Sequence, residues 1–113
     1  MDLKIKNKNA LITGGSRGLG KAAAIHLAKE GVNVAICGRS EETLQLVTNE
    51  IQTYGVNSFK YVCDVSELET INPMYQYFVK EMGEIDILIN NVGGTKSREN
   101  IEKTSTKDFM STF

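Results

Sequence analysis

The run Leu11-Ile12-Thr13-Gly14-Gly15-Ser16-Arg17-Gly18-Leu19-Gly20 restricts the fold more than any other part of the chain. Apolar residues suited to a buried strand pass into a turn spaced by glycines, and a helix follows. Glycine admits positive φ and leaves no Cβ in the way of a ligand. The helix points unpaired N–H groups and the positive end of its dipole at the turn, which makes the junction a cradle for an anion. The pyrophosphate of a dinucleotide is the expected anion.

Two motifs compete for these glycines. Gly15-Ser16-Arg17-Gly18-Leu19-Gly20-Lys21 matches the opening of G-x-x-x-x-G-K-S/T, the loop of P-loop phosphate-hydrolysing proteins. The next residue is Ala22, which has no hydroxyl for Mg²⁺, and no apolar strand ends in a well-placed Asp to replace it. Thr13, Gly14, Gly18 and Gly20 instead satisfy T-G-x-x-x-G-x-G, a dinucleotide fingerprint with one residue more between its first two glycines.

Further features stand at distances that suit the second motif. Val32-Asn33-Val34-Ala35-Ile36-Cys37-Gly38-Arg39 follows Gly31, a natural helix terminator, and reads as a second strand. An acidic residue at its end suits the ribose of NAD, whereas an Arg nearby suits a 2′-phosphate. Here Gly38-Arg39 holds that place, so Arg39 and Arg17 can converge on a phosphate, which favours NADP(H) over NAD(H). The alternative is that both are solvated surface charges. Phe59-Lys60-Tyr61-Val62-Cys63-Asp64-Val65 reads as a third strand with Asp64 at its carboxyl end, where ligands of open α/β sheets sit. Asp64 could instead serve a turn, but Ser66 with Glu69 forms a capping box that already supplies the N-cap. Ile85-Asp86-Ile87-Leu88-Ile89-Asn90-Asn91-Val92-Gly93-Gly94 has the near-continuous apolar character of a buried parallel strand, ending in two amides and two glycines.

The expected elements are strands at 10–13, 33–38, 59–63 and 85–90, alternating with helices at 18–30, 41–54 and 68–82. Right-handed crossovers lay the strands out in the order 3-2-1-4, a parallel sheet with helices on both faces. The fourth strand is then an uncovered edge. Ser40 before Glu41-Glu42 is an N-cap, and Ser105 with Asp108 is a second capping box. Pro73 would break the third helix, so that helix is expected to restart with Asn72 as cap and Pro73 as first residue. Ala24, Leu27 and Ala28, and Leu44, Val47 and Ile51, are helical core faces.

With Thr13-Gly14-x-x-x-Gly18-x-Gly20, Asp64-Val65 and Asn90-Asn91-Val92-Gly93 in this order and spacing, the chain resembles the short-chain dehydrogenase/reductases along essentially its whole length. The resemblance implies a Rossmann-type α/β fold and an oxidoreductase that moves a hydride between a nicotinamide cofactor and a ketone or secondary alcohol. It implies that the turn Gly14, Ser16, Arg17, Gly18, Leu19 and Gly20 lines the pyrophosphate. Asp64 and the Val65 N–H would hold adenine, and Asn91, Val92 and Gly93 would pack beside Thr13 and the cofactor. Val92 departs from the family's commoner Ala. The lean within the family is toward enzymes like 3-oxoacyl-carrier-protein reductase.

The family's later half carries a catalytic Asn, a Ser and a Tyr-x-x-x-Lys, the phenol protonating the substrate oxygen with a lysine lowering its pKa. The four tyrosines Tyr54, Tyr61, Tyr75 and Tyr77 have Ser58, Val65, Val79 and Glu81 four residues on, so that motif cannot be built here. Asp108 to Phe113 resembles the opening of the family's fourth helix. The expectation is an incomplete dinucleotide-binding domain over residues 1–113 with no catalytic residue of its own, an NADP(H) site, and a complete form that is a homo-oligomer acting on a small carbonyl or alcohol. A non-catalytic nucleotide-binding fragment or interaction module is the alternative.

Composition agrees with that class. At 113 residues, 41% apolar and a formal net charge of −1, the chain has room for at most one domain and lacks the basic excess of a nucleic-acid binder. No apolar stretch approaches membrane-spanning length, and no membrane partner is expected. Cys37 and Cys63 show no C-x-x-C spacing and no signal peptide precedes them, so they read as reduced, packed thiols of a cytoplasmic protein. His26 has no ligand partner at metal spacing and reads as structural or exposed, so no metal site is expected. Lys4, Lys6 and Lys8 form a basic entry strand or tail.

Overall fold

The computed structural model describes residues 5–91. Four parallel strands alternate with three helices: β1 Asn9–Thr13, α1 Gly18–Lys29, β2 Asn33–Gly38, α2 Glu41–Gln52, β3 Ser58–Val62, α3 Ile71–Met82 and β4 Ile87–Asn90. The strands lie in the order β3-β2-β1-β4, the expected 3-2-1-4 layout. Ile12 stands opposite Ile36 of β2 and Ile89 of β4, and Ile36 stands opposite Lys60 of β3. β1 and β2, the central strands, are the most buried.

Side-chain alternation along these strands builds a core on each face of the sheet. Ala10, Ile12, Val34 and Ile36 meet Ala24 and Ala28 of α1 and Leu44, Val47 and Ile51 of α2. Leu11, Ala35 and Cys37 meet Ile71, Met74 and Phe78 of α3 on the other. The core faces read from the helical spacing are those that pack. Leu27 is half-buried and His26 is exposed near the end of α1.

Local chemistry sets the helix ends. α1 closes in a Schellman arrangement, with Gly31 N–H donating to Ala28 O and Val32 N–H to Leu27 O, while Gly31 takes φ 86°. Ser40 Oγ accepts from Thr43 N–H at 3.3 Å and caps α2, whose first turn carries Glu41 and Glu42. That helix stops at Gln52, short of the expected Tyr54, because Thr53, Tyr54 and Gly55 turn away from it. Residues 5–8 form a turn instead of an entry strand, with Asn7 at φ 70°.

The third crossover departs most from expectation. Ser66 and Glu69 do not form a capping box: Leu68–Thr70 is a 3-10 turn without a side-chain cap, and Ser66 is bonded back to Asp64. The Asp64 carboxylate, two residues away, accepts from both the Ser66 N–H and hydroxyl. Nor does α3 restart at Pro73. It begins at Ile71 with Thr70 as its cap, which places Pro73 in the first turn, where a missing N–H removes no helix bond. The expected Ser105 cap and the helix opening at Asp108 lie outside the described residues.

At the amino ends of the strands, Asn9 ties the sheet together. Its side-chain amide donates to Met82 O at 2.9 Å and Glu84 O at 3.0 Å and its Oδ1 accepts from Asn33 Nδ2, while Asn33 Oδ1 accepts from Asn57 N–H. The Asn9 N–H donates to Asp86 Oδ2, and the Asp86 N–H returns a bond to Asn9 O. Pairing around Asp86 brings the chain into the sheet just before Ile87, so β4 is shorter than its apolar run. Asn9→Ala strips two carbonyls of a donor and is expected to lower unfolding stability by about 1–3 kcal/mol. An unchanged urea midpoint would remove the network from the forces that hold the sheet.

Candidate functional site

At the carboxyl end of β1 the chain is folded against itself with no slack. Gly14 takes φ 71° and donates its N–H to Cys37 O at 3.0 Å, locking the turn to β2. A Cβ on Gly20 would fall 2.3 Å from Gly14 O and 2.8 Å from the Asn91 amide nitrogen, so α1 can approach the strand end only without a side chain there. A Cβ on Gly15 would strike Ile36 at 2.5 Å. Gly18 differs: its φ of 52° is the constraint, and nothing lies within 4 Å of the Cβ position. Arg17 is the N-cap of α1 but supplies no side-chain bond. The first N–H groups of α1 therefore remain available beside an open, glycine-bounded space, the arrangement that receives an anion.

Thr13 and the β4 amides brace this turn from behind. The buried Thr13 hydroxyl donates to Asn90 Oδ1 at 2.6 Å, and the Asn91 N–H donates to Thr13 O at 3.1 Å. The Asn91 side-chain amide donates to Gly14 O at 3.5 Å. Asn90 and Asn91 thus clamp β4 to the glycine turn.

In front of the turn lies a cavity of about 260 Å³ across the ends of β1, β2 and β3. Gly14, Ser16, Arg17, Arg39, Asp64, Val65 and Asn91, all singled out from the sequence, line it. Thr13 and Gly20 stand behind the wall as packing residues, and Gly18 and Leu19 are not part of the lining; Leu19 is 78% exposed. Val92 and Gly93 lie outside the described residues. Lys21, the lysine of the P-loop pattern, does not line the cavity and pairs with Glu50 of α2 at 3.8 Å.

Asp64 sits where both its candidate roles meet. Its Oδ1 accepts from Ser66 N–H at 3.0 Å and from Ser66 Oγ at 2.6 Å, so the turn role set aside in favour of a Ser66 cap is in fact filled, while the residue also lines the cavity. Those two bonds hold its carboxyl below the ordinary aspartate range, with a smaller pull from Arg39. Cys37, Gly38, Ser40, Thr43 and Cys63 complete the wall without having been assigned to it. The two cysteines end adjacent strands, and the rule that ligands sit beyond the carboxyl ends of strands was the available signal. No group of metal ligands is found among the described residues. No described helix is long and apolar enough to cross a membrane.

Residues 8–113 match the short chain dehydrogenase family. Among curated relatives, 3-oxoacyl-(acyl-carrier-protein) reductase FabG of Staphylococcus epidermidis is 41% identical over 91 residues, which is 80% of this chain and 37% of the relative. Among solved structures, L-sorbose reductase from Gluconobacter frateurii, complexed with NADPH and L-sorbose, superposes with a TM-score of 0.79 at 33% identity, covering 83% of this chain and 36% of that one. NAD⁺-bound xylitol dehydrogenase superposes with a TM-score of 0.77 at 34% identity, over 80% of this chain and 35% of that one. The chain therefore spans little more than a third of the length of each.

Gly20→Ala is expected to cost about 1–3 kcal/mol through overpacking against Gly14 O, read as a lowered unfolding midpoint. Wild-type stability would contradict the close approach. A depressed folded-state pKa at Asp64 means that its ionised turn stabilises the fold above the unfolded-chain value and is lost as pH falls through the folded one. The Ser66 amide resonance should titrate with a midpoint below that of an unfolded-chain aspartate; a midpoint at or above it would refute the assigned bonds.

Proposed function

The chain belongs to the short-chain dehydrogenase family, and from that premise we propose that it is the cofactor-holding part of an NADP(H)-dependent oxidoreductase interconverting ketones and secondary alcohols. The observation that carries the NADP(H) assignment is the cavity itself: two exposed arginines, Arg17 and Arg39, border it, and the end of β2 carries Gly38-Arg39 where an acidic residue would suit NAD. An Arg fork recognises a 2′-phosphate by charge-assisted bonds.

In this reading the positive-φ turn Gly14 to Gly20 and the uncapped start of α1 receive the pyrophosphate. Asp64 and the Val65 N–H hold adenine, and Asn91 packs beside Thr13 and the cofactor, a role we extend to Val92 and Gly93 from the motif alone. A nicotinamide cofactor held there would supply the hydride chemistry. The 113 residues contain no Tyr-x-x-x-Lys, so we assign them cofactor binding and not proton transfer. The relative's name supports a 3-oxoacyl substrate class for the complete protein. We place that protein in the cytoplasm as a homo-oligomer acting on a small carbonyl or alcohol, with residues 1–113 an incomplete dinucleotide-binding domain.

Arg39→Asp should weaken NADP⁺ binding by about 10- to 100-fold, the loss of one or two charge-assisted bonds, while leaving or improving NAD⁺ binding. Titration calorimetry with both nucleotides reads the difference. Unchanged NADP⁺ affinity would remove Arg39 from the phosphate site. Steady NADPH consumption by these 113 residues with a carbonyl substrate would overturn the division of labour.

A further inference from the structure

Ser66 is exposed and takes no part in the cavity wall, yet both of its donors end on a residue that does. Its N–H reaches Asp64 Oδ1 at 3.0 Å, and its hydroxyl reaches the same oxygen at 2.6 Å. A carboxylate oxygen offers about two lone-pair sites, so Oδ1 is filled. Among the described residues no hydrogen bond ends on Oδ2, which leaves that oxygen as the acceptor for a ligand. The backbone is held separately, Asp64 O accepting from Glu67 N–H at 2.9 Å and from Thr70 Oγ1 at 3.0 Å. What Ser66 restrains is therefore the carboxyl group itself. Val65 follows at once and also lines the cavity, so an acceptor side chain and a backbone donor stand side by side in the wall.

We propose that Ser66 is a positioning residue that commits Asp64 to present one oxygen to the cavity, and that it thereby sets the choice of an amino-purine over an oxo-purine nucleotide. This role rests on the reading of Asp64 and the Val65 N–H as the adenine contacts; Ser66 itself touches no ligand. Adenine carries an exocyclic amino donor beside a ring nitrogen that only accepts. Hypoxanthine reverses both, with a carbonyl acceptor beside a ring N–H donor. An acceptor at Asp64 followed by a donor at Val65 matches the first order and opposes the second at each atom. Such a site rejects the wrong base because its own polar groups are left unpaired. The rejection lasts only while acceptor and donor keep their register. With Oδ1 released, either oxygen can turn toward the cavity and meet the ring N–H of hypoxanthine. Loss of the Ser66 hydroxyl therefore shows in selectivity between bases more than in overall affinity.

The test measures, by titration calorimetry, the binding of NADP⁺ and of its hypoxanthine analogue to the wild-type chain, Ser66→Ala and Ser66→Thr. Wild type should prefer NADP⁺ by at least about tenfold. Ser66→Ala should lose about three- to tenfold of that preference, the worth of one hydrogen bond, and Ser66→Thr should restore it by keeping a hydroxyl. Both changes fall at an exposed position and leave the two apolar layers intact. Without nucleotide, the Asp64 carboxyl carbon followed by NMR should titrate at higher pH in Ser66→Ala than in wild type, because the Ser66 hydroxyl is the largest influence holding that carboxyl down. An unmoved titration overturns the bond on which the role depends. A preference that survives Ser66→Ala, an equal weakening of both nucleotides, or a failure of Ser66→Thr to restore the preference overturns the positioning role and leaves the adenine reading standing. A wild-type chain that binds neither nucleotide, or both equally, overturns the adenine reading and the role with it.

Discussion

The approach of α1 to the end of β1 is the contact on which the rest of the site depends. Gly20 lies so near the Gly14 carbonyl that a single methyl group would fall 2.3 Å from its oxygen. That closeness aims the start of α1 at the space beyond the sheet and brings the Asn91 amide within reach of the same carbonyl. A helix displaced by a side chain at this point would direct its free N–H groups away from the glycine turn.

The two ends of the sheet solve opposite problems. At the amino ends, Asn9, Asn33, Asn57 and Asp86 pair backbone and side-chain groups across all four strands. At the carboxyl ends two arginines and a carboxylate are left facing a cavity. Unpaired polar groups at a binding end weaken the folded state unless other contacts offset them. The asparagine network and the two apolar layers supply that offset at a distance from the ligand, so the site can stay open without loosening the strands that carry it.

The apolar elements were legible from periods in the sequence, since β1 and β2 are nearly continuous apolar runs and the faces of α1 and α2 repeat with the helical turn, and the strand order followed from the handedness of their crossovers. Seven of the residues that line the cavity were named from the sequence, by the glycine turn, the strand ends and what the family resemblance implies. The asparagine network was not, since Asn9 and Asp86 are 77 residues apart and no local pattern encodes their pairing. The start of α3 was misplaced because two local signals competed. Ser66 and Glu69 have capping-box spacing, but Asp64 is only two residues from Ser66, one nearer than Glu69, and accepts from both its N–H and its hydroxyl.

That competition bears on how Asp64 should be understood. Treating a turn role and a ligand role as rivals assumes that a carboxylate can serve only one, yet it has two oxygens. Oδ1 takes both bonds from Ser66. Asp64 O is held as well, accepting from Glu67 N–H at 2.9 Å and Thr70 Oγ1 at 3.0 Å. The turn thus holds the residue at the cavity wall and favours its ionised form. The local role does not discount the proposed functional one; a carboxylate already held in place is what the adenine assignment would use.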